Sequence, residues 1–473
     1  MNIVQYLNLA QNTRLPALLL VLMGNLLARP AVAQPQNRTL QGYVAQALAQ
    51  NVNLRREGIA LAGAAQRVRQ AAGLYQPQVQ LGASYTLANG GRTINIPVGD
   101  LVNPVYSTLN TLTNSSQFPQ INNVSEQLLP NNFHETKIRI IQPLFNSDIY
   151  FNYKAQKELL SAQQARQAAF RNSLRLQVEA TYYQYLQAGA AVQVYRTTAR
   201  ILTELLRVNQ ARLTAGLTTN DAVYNTKAQL AGNQRDLVAA ANRRQLARTS
   251  FNYLLNRPLD DSIVVEEPSR PALPAASALP ADQALTTLRT TALSQRPELQ
   301  QLARAEAASS LGVRQRRAAR LLPQLNWVTD LGYQGFGYHF DVPQQRFQFM
   351  QFALTWDLFR GGIKRSEEQS ARLALDDVQA QRADLVLQLQ LQVTQAYDNL
   401  GSARAADVAA AAAQLNAEKS YALVRRRYEE GQAIVLELLD ATARQTAAQL
   451  ARVIAGYDVF IREAELRQAL AAE

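Results

Sequence analysis

The chain has 473 residues, 47% of them hydrophobic, yet only 13 Phe, 3 Met and 2 Trp to fill compact cores, which favours extended packing over stacked globules. It has no cysteine, which excludes disulfides, thiolate metal sites, a cysteine nucleophile and a lipid-modified N-terminal cysteine; with only His134 and His339, a multi-histidine metal site within one protomer is excluded as well. The formal charge of +12 is modest for this length, and the basic residues form neither a patch interleaved with stacking aromatics nor a recognisable module, so nucleic acid is not expected as a partner.

Residues 1–33 read as a secretory signal peptide: Arg14, the apolar run Leu15 to Ala28, then Ala31-Val32-Ala33 before Gln34. The run is too short, and too closely followed by the small-residue site, for a comfortable transmembrane helix. No later stretch approaches 18 apolar residues. An exported chain without membrane helices either stays soluble outside the inner membrane or crosses a membrane as strands.

Residues 34–257 form a first repeat, with a helix, strands near 77–88 and 134–145, and a long helical hairpin turning at Gly216. In the first strand Val79, Leu81, Ala83, Tyr85 and Leu87 alternate with Gln78, Gln80, Gly82, Ser84 and Thr86, a period of two with one apolar face. In the return strand Lys137 and Arg139 face opposite to Ile138 and Ile140. No proline falls between Ser147 and Arg257, so the segment from about 148 to 215 is predicted as one helix of roughly 100 Å at about 1.5 Å per residue. Gly216 supplies a left-handed cap, after which Thr218, Thr219 or Asn220 can cap a new helix with Asp221 in its first turn.

Residues 258–280 carry five prolines and read as a linker. Residues 281–473 form a second repeat, with a helix, strands near 323–338 and 346–359, and a helical hairpin turning at Gly431. Val386, Leu389, Val393, Ala396 and Leu400 are spaced as a coiled-coil seam, as are Leu439, Ala443, Thr446, Leu450, Val453, Tyr457 and Phe460. The duplication rests on pairs 215 residues apart: Gly216 and Gly431, Arg212 and Arg427, Tyr182 and Tyr397, Val178 and Val393. Pro77 and Pro323 lie 246 apart but Gln142 and Trp356 only 214, which puts an insertion of about 32 residues in the Asn-, Thr- and Pro-rich stretch 89–131 of the first copy. Four strands are too few to close a transmembrane barrel and leave open edges, so a membrane reading requires oligomerisation. A soluble two-hairpin sheet packed on helices accounts for the same alternation.

Taken in order, the leader, the twice-repeated strand onsets Gln76-Pro77-Gln78 and Leu322-Pro323-Gln324, Pro143-Leu144-Phe145 with Leu358-Phe359-Arg360-Gly361-Gly362, and Arg427-Tyr428-x-x-Gly431 followed by Glu437-Leu438-Leu439-Asp440-Ala441 resemble the TolC-like outer-membrane efflux and secretion channels over nearly all of residues 40–470. The resemblance implies an α+β membrane protein of the outer membrane, extending into the periplasm. Its three protomers would each give four strands to a 12-stranded β-barrel in outer-membrane lipid, continued by a long α-helical coiled-coil tunnel. It implies no catalytic residue, metal or cofactor, and as partners a periplasmic adaptor and an inner-membrane transporter that supplies the energy.

By the same resemblance Glu437 and Asp440, three apart on one helix face, line the tunnel entrance, with Asp221 joining them from the first copy. Read from the residues alone, these acids stabilise a first helical turn against its dipole. Arg212, Gly216, Leu217, Arg427, Tyr428 and Gly431 match the turns where the adaptor docks, and can equally be plain turn formers. Well-studied members carry an arginine two residues past the second glycine, where this chain has Ala433, so its entrance is expected to be held by Arg425, Arg426 or Tyr428. His134 and His339 are expected at the outer strand ends as ordinary rim residues. The function implied is a passive conduit exporting small toxic compounds; the alternatives are a conduit for type I protein secretion and, from another class, a periplasmic coiled-coil scaffold without a pore.

Overall fold

The computed structural model describes residues 40–265, 281–338 and 343–471. The expected leader, the linker after residue 265 and His339 lie outside the described residues.

Each alternating segment folds as a strand. β1 (Gln78–Thr86), β4 (Phe133–Phe145), β5 (Gln324–Phe336) and β6 (Arg346–Thr355) form one antiparallel sheet in the order β1-β4-β5-β6. β4 pairs with β5, so the strands of the two repeats meet in the middle and the outer sides of β1 and β6 remain open. The register puts Leu81 opposite Ile138 and Ile138 opposite Leu331, while Gln80 faces Arg139 and Arg139 faces Asp330. One face is thus apolar and the other carries the Arg139–Asp330 ion pair, with two contacts of 2.8 and 2.6 Å. β6 follows the pattern less strictly: Met350 and Phe352 join the apolar face, but Phe347 and Phe349 stand on the other. It also ends at Thr355, four residues before the expected end, where the chain turns towards Gly361 and Gly362, both at positive φ.

No helix packs broadly across either face of this sheet among the described residues. Its apolar face is therefore bare, with Val79 64%, Leu81 74% and Phe352 66% exposed. A soluble sheet resting on helices would bury these side chains, so that alternative does not describe the fold.

The proline-free stretches are rods. α4 (Ser147–Thr214) has 68 residues and α8 (Ile363–Glu429) has 67, each about 100 Å long at about 1.5 Å per residue. Each reverses into a 35-residue return helix, α5 (Asn220–Leu254) and α9 (Val435–Ala469). α1 (Leu40–Gln50) and α2 (Val52–Gly73) precede the first rod, and α6 (Ala281–Gln295) and α7 (Pro297–Leu321) precede the second. Tyr43, Leu54, Val178, Tyr182, Phe251 and Leu255 make one core, where α1 and α2 meet the far end of the first hairpin. Leu288, Ala292, Val393, Leu400, Val459 and Leu466 make its counterpart in the second repeat.

The seam predicted in α8 is buried at Leu389, Val393, Ala396 and Leu400. The one predicted in α9 is buried only at Leu439; Ala443, Thr446, Leu450, Val453, Tyr457 and Phe460 are half-buried, and Leu438, Ala441, Thr442 and Val459 are the residues packed inside. A heptad count fixes the spacing of a stripe, but the neighbours that a helix meets fix which side of it is covered.

The insertion is not a plain loop. It holds a two-stranded ribbon, β2 (Thr93–Ile96) with β3 (Val124–Gln127), and a helix, α3 (Val98–Thr113), that the Asn- and Pro-rich composition did not suggest.

Candidate functional site at the hairpin tips

The two rods end far from the sheet in turns of the same construction. Gly216 sits at φ 69°, with Leu217 N–H donating to the Arg212 carbonyl at 2.8 Å; Gly431 sits at φ 78°, with Gln432 N–H donating to the Arg427 carbonyl at 2.7 Å. Each is a bond from the third residue past the helix back five positions, which needs a left-handed residue between and hence glycine. α5 then starts behind Thr219, whose hydroxyl donates to the Asp221 carboxylate, and α9 starts behind Ile434 with no side-chain cap.

The two turns are tied together by buried polar contacts. Tyr428, at the end of α8, is buried, and its hydroxyl donates to Asn209 Oδ1 on α4. Asn209 Nδ2 donates to Thr226 Oγ1 on α5 at 2.9 Å, and Thr226 donates onward to the Ala222 carbonyl at 2.8 Å. Asn209 and Thr226 are both fully buried. The Arg212 guanidinium lies 4.6 Å from the Tyr428 ring centre, within cation–π range. Around this chain pack Leu202, Leu205, Leu438 and Leu439, with Ala433 against them. Ala433, at the position where the resemblance leads us to expect an arginine, is thus part of an apolar cluster. Arg425 and Arg426 make local surface pairs with Glu429 at 2.8 Å and Glu430 at 3.9 Å, one helical turn on, so of the three candidates only Tyr428 joins one hairpin to the other.

Beside this contact opens a cleft of about 550 Å³, lined in part by Arg200, Glu204, Arg212, Tyr421, Arg425 and Glu429. Burial pushes the Tyr421 hydroxyl above its ordinary pKa, and the neighbouring Glu429 side chain holds the Arg425 guanidinium further towards its charged form.

Glu437 lies in the first turn of α9 and faces Arg427 at 3.6 Å; Asp440 pairs with Arg444 at 2.8 Å. Asp221 lies in the first turn of α5, and no hydrogen bond or ion pair among the described residues joins it to Glu437 or Asp440. Leu217 is 76% exposed and offers an apolar contact at the tip, whereas Tyr428 is committed inward. His134, expected at the rim, is fully buried beside Tyr338, ring centres 5.3 Å apart.

Sequence reasoning missed Asn209 and Thr226. The available signal was that Thr198, Leu202, Leu205 and Asn209 continue the 3–4 spacing of α4 with polar residues at two seam positions, a pattern that fixes register. Thr198 does so against Thr446 of α9, 2.9 Å between hydroxyls.

Compared with known families, residues 288–472 match the model described as outer membrane efflux protein. No curated protein matches. Among solved structures, the fold is similar to that of the outer membrane protein VceC of Vibrio cholerae, at 19% identity and TM-score 0.73, covering 92% of this chain and 97% of that one. It is similar as well to the CmeC outer membrane channel of Campylobacter jejuni, at 16% identity and TM-score 0.75 over 92% and 85% of the two chains. A third likeness is to the open state of the MtrE outer membrane channel of Neisseria gonorrhoeae, at 18% identity and TM-score 0.70 over 92% and 89%.

Proposed function

Given a second repeat that matches the outer membrane efflux proteins and a fold similar over most of the chain to solved outer membrane channels, we propose that three copies of this chain form, in the outer membrane with their helices reaching into the periplasm, a passive exit duct for small toxic compounds. The observation that carries the reading is the open four-stranded sheet, bare on its apolar face, at one end of rods about 100 Å long. In lipid, β1 and β6 cannot keep unpaired edges, and an apolar face without a covering layer needs hydrocarbon as its solvent. Joining β1 of one copy to β6 of the next closes a barrel of 12 strands with Arg139 and Asp330 on its water-filled side.

The hairpin tips are then the periplasmic entrance. Glu437 and Asp440, with Asp221 nearby in each copy, ring the narrowest point, and the Tyr428–Asn209 contact holds the two hairpins of a protomer against each other. The Gly216 and Gly431 turns, with Arg212, Leu217 and Arg427, receive the periplasmic adaptor, with Tyr428 behind them as support rather than as a contact. An inner-membrane transporter does the work and chooses the cargo.

The test is assembly and conduction together. The mature chain should run as a trimer in mild detergent and open a cation-favouring conductance in planar bilayers. A stable monomer with protected strand-edge amides, or a trimer that conducts nothing, overturns the proposal.

A further inference from the structure

The insertion of the first repeat carries a surface that the channel reading does not use. α3 has two faces. Along one, Asn103 Nδ2 donates to the Ile121 carbonyl at 3.0 Å and Asn110 Nδ2 to the Phe118 carbonyl at 2.7 Å, while the Ile121 and Phe118 amides donate back to the two side-chain oxygens at 2.8 and 3.1 Å. Gly99 lies on the same face, where an added Cβ would stand 2.3 Å from the Ile121 oxygen. Residues 118–123 are thereby strapped to the helix. On the opposite face Leu101, Val105 and Leu112 follow one another at helical spacing, 70%, 55% and 77% exposed. The helix is amphipathic with its polar side satisfied internally and its apolar side bare.

Two occupants could cover such a stripe, a lipid surface or a second copy of the chain. A helix lying in a membrane interface keeps lysine and arginine on its polar face to meet anionic headgroups. Here the only charge on α3 is Asp100, and no lysine or arginine occurs from Thr93 to Thr136. The polar face is in any case taken by the strap. The insertion also joins β1 to β4, and β1 is an edge strand of the sheet, so in the trimer proposed above α3 is tethered beside the edge that a neighbouring copy pairs with. We infer that the Leu101–Val105–Leu112 stripe is an interface between copies: in the trimer the three α3 helices turn their stripes to the threefold axis and form an apolar collar over the outer end of the barrel. This rests on the trimeric channel proposed above.

The absence of cysteine makes the test clean. V105C and L112C on the stripe, and T111C on an exposed side face, are made singly in the full chain and oxidised in outer membranes. The products are then separated on non-reducing gels, and the same preparations are run in mild detergent. V105C and L112C should shift to a disulfide-linked dimer beside residual monomer, because three thiols about one axis leave one without a mate, while T111C stays monomeric on the gel. A mild-detergent trimer with no dimer band from V105C and L112C overturns the collar. In that case, quenching of a fluorophore at residue 112 by brominated lipid would assign the stripe to the membrane. Equal cross-linking of T111C overturns the inference as well, since it would report collision and not contact. Loss of the trimer in the parent chain overturns the channel reading, and the collar with it.

Discussion

Replacing Tyr428 with Phe should loosen the entrance without unfolding the protein. The ring keeps its place among Leu202, Leu205, Leu438 and Leu439 and still lies under Arg212. What disappears is the donor to Asn209 Oδ1, an atom of a fully buried residue whose amide nitrogen is already committed to Thr226. An acceptor left buried without a partner costs about 1–3 kcal/mol, so opening of the tips should become about 5- to 150-fold more frequent. The nearest large core, around Val178, Tyr182 and Leu186, lies about 35 Å back along α4 at about 1.5 Å per residue, too far to share the loss. Hydrogen exchange of the trimer in detergent resolves the two regions. Amides of 205–214 and 424–430 should exchange faster in Y428F, and those of 174–186 should not. N209A should act on the same amides, and Y428F/N209A should cost less than the sum of the single changes, because both remove one bond. Unchanged tip protection, or single costs that simply add, would refute the idea that this bond couples the hairpins.

Three further outcomes are expected. E437Q/D440N should lower cation selectivity and weaken block by trivalent ions in planar bilayers, whereas R427Q/R444Q, which removes the arginines facing those acids at 3.6 and 2.8 Å, should raise selectivity; half-exposed pairs add little to stability, so the trimer should persist in both. G431A has open space for the methyl group but must hold φ 78°, which costs an L-residue about 1–2 kcal/mol; exchange at the second tip should rise while that at the first changes less. Burial, and then the nearby Glu179 carboxylate, push the Tyr183 hydroxyl up to about 12, so above pH 10 the unfolded chain loses this proton while the folded chain keeps it. Stability measured against Y183F should therefore fall as pH rises from about 10 to 12, by about 2–3 kcal/mol, and be level below pH 9.

What the sequence determined by itself is what local chemistry encodes. Proline-free runs of Ala, Leu, Gln and Arg favour helix, so α4 was legible almost to the residue and α8 as the first arm of a long hairpin, as were the turns at Gly216 and Gly431, where only glycine readily takes the required φ. Alternation made β1 and its apolar face plain, since a period of two admits little else. Glu437 could be put in a first helical turn for the same reason, whereas Asp440, expected beside it there, falls in the second turn because α9 starts only at Val435.

Tertiary structure decided everything that depends on which segment meets which. Alternation says that Leu81 and Ile138 share a face, but only the folded sheet shows that no helix among the described residues shields it. The insertion looked like loop because Asn and Pro disfavour helix interiors, yet Asn103 and Asn110 hold a strap to α3 through side-chain bonds that no propensity anticipates. Spacing put an apolar stripe on α9 but could not say which side its neighbours cover, and of that stripe only Leu439 is buried, beside Leu438, Thr442 and Val459 that the stripe left out. Most tellingly, Tyr428 and Asn209 lie 219 residues apart: Tyr428 could be named from the sequence as one of three candidates to hold the entrance, but its partner Asn209 could not. Their bond exists because two hairpins from two copies of one ancestral unit fold against each other, a distance in space that no periodicity along the chain records.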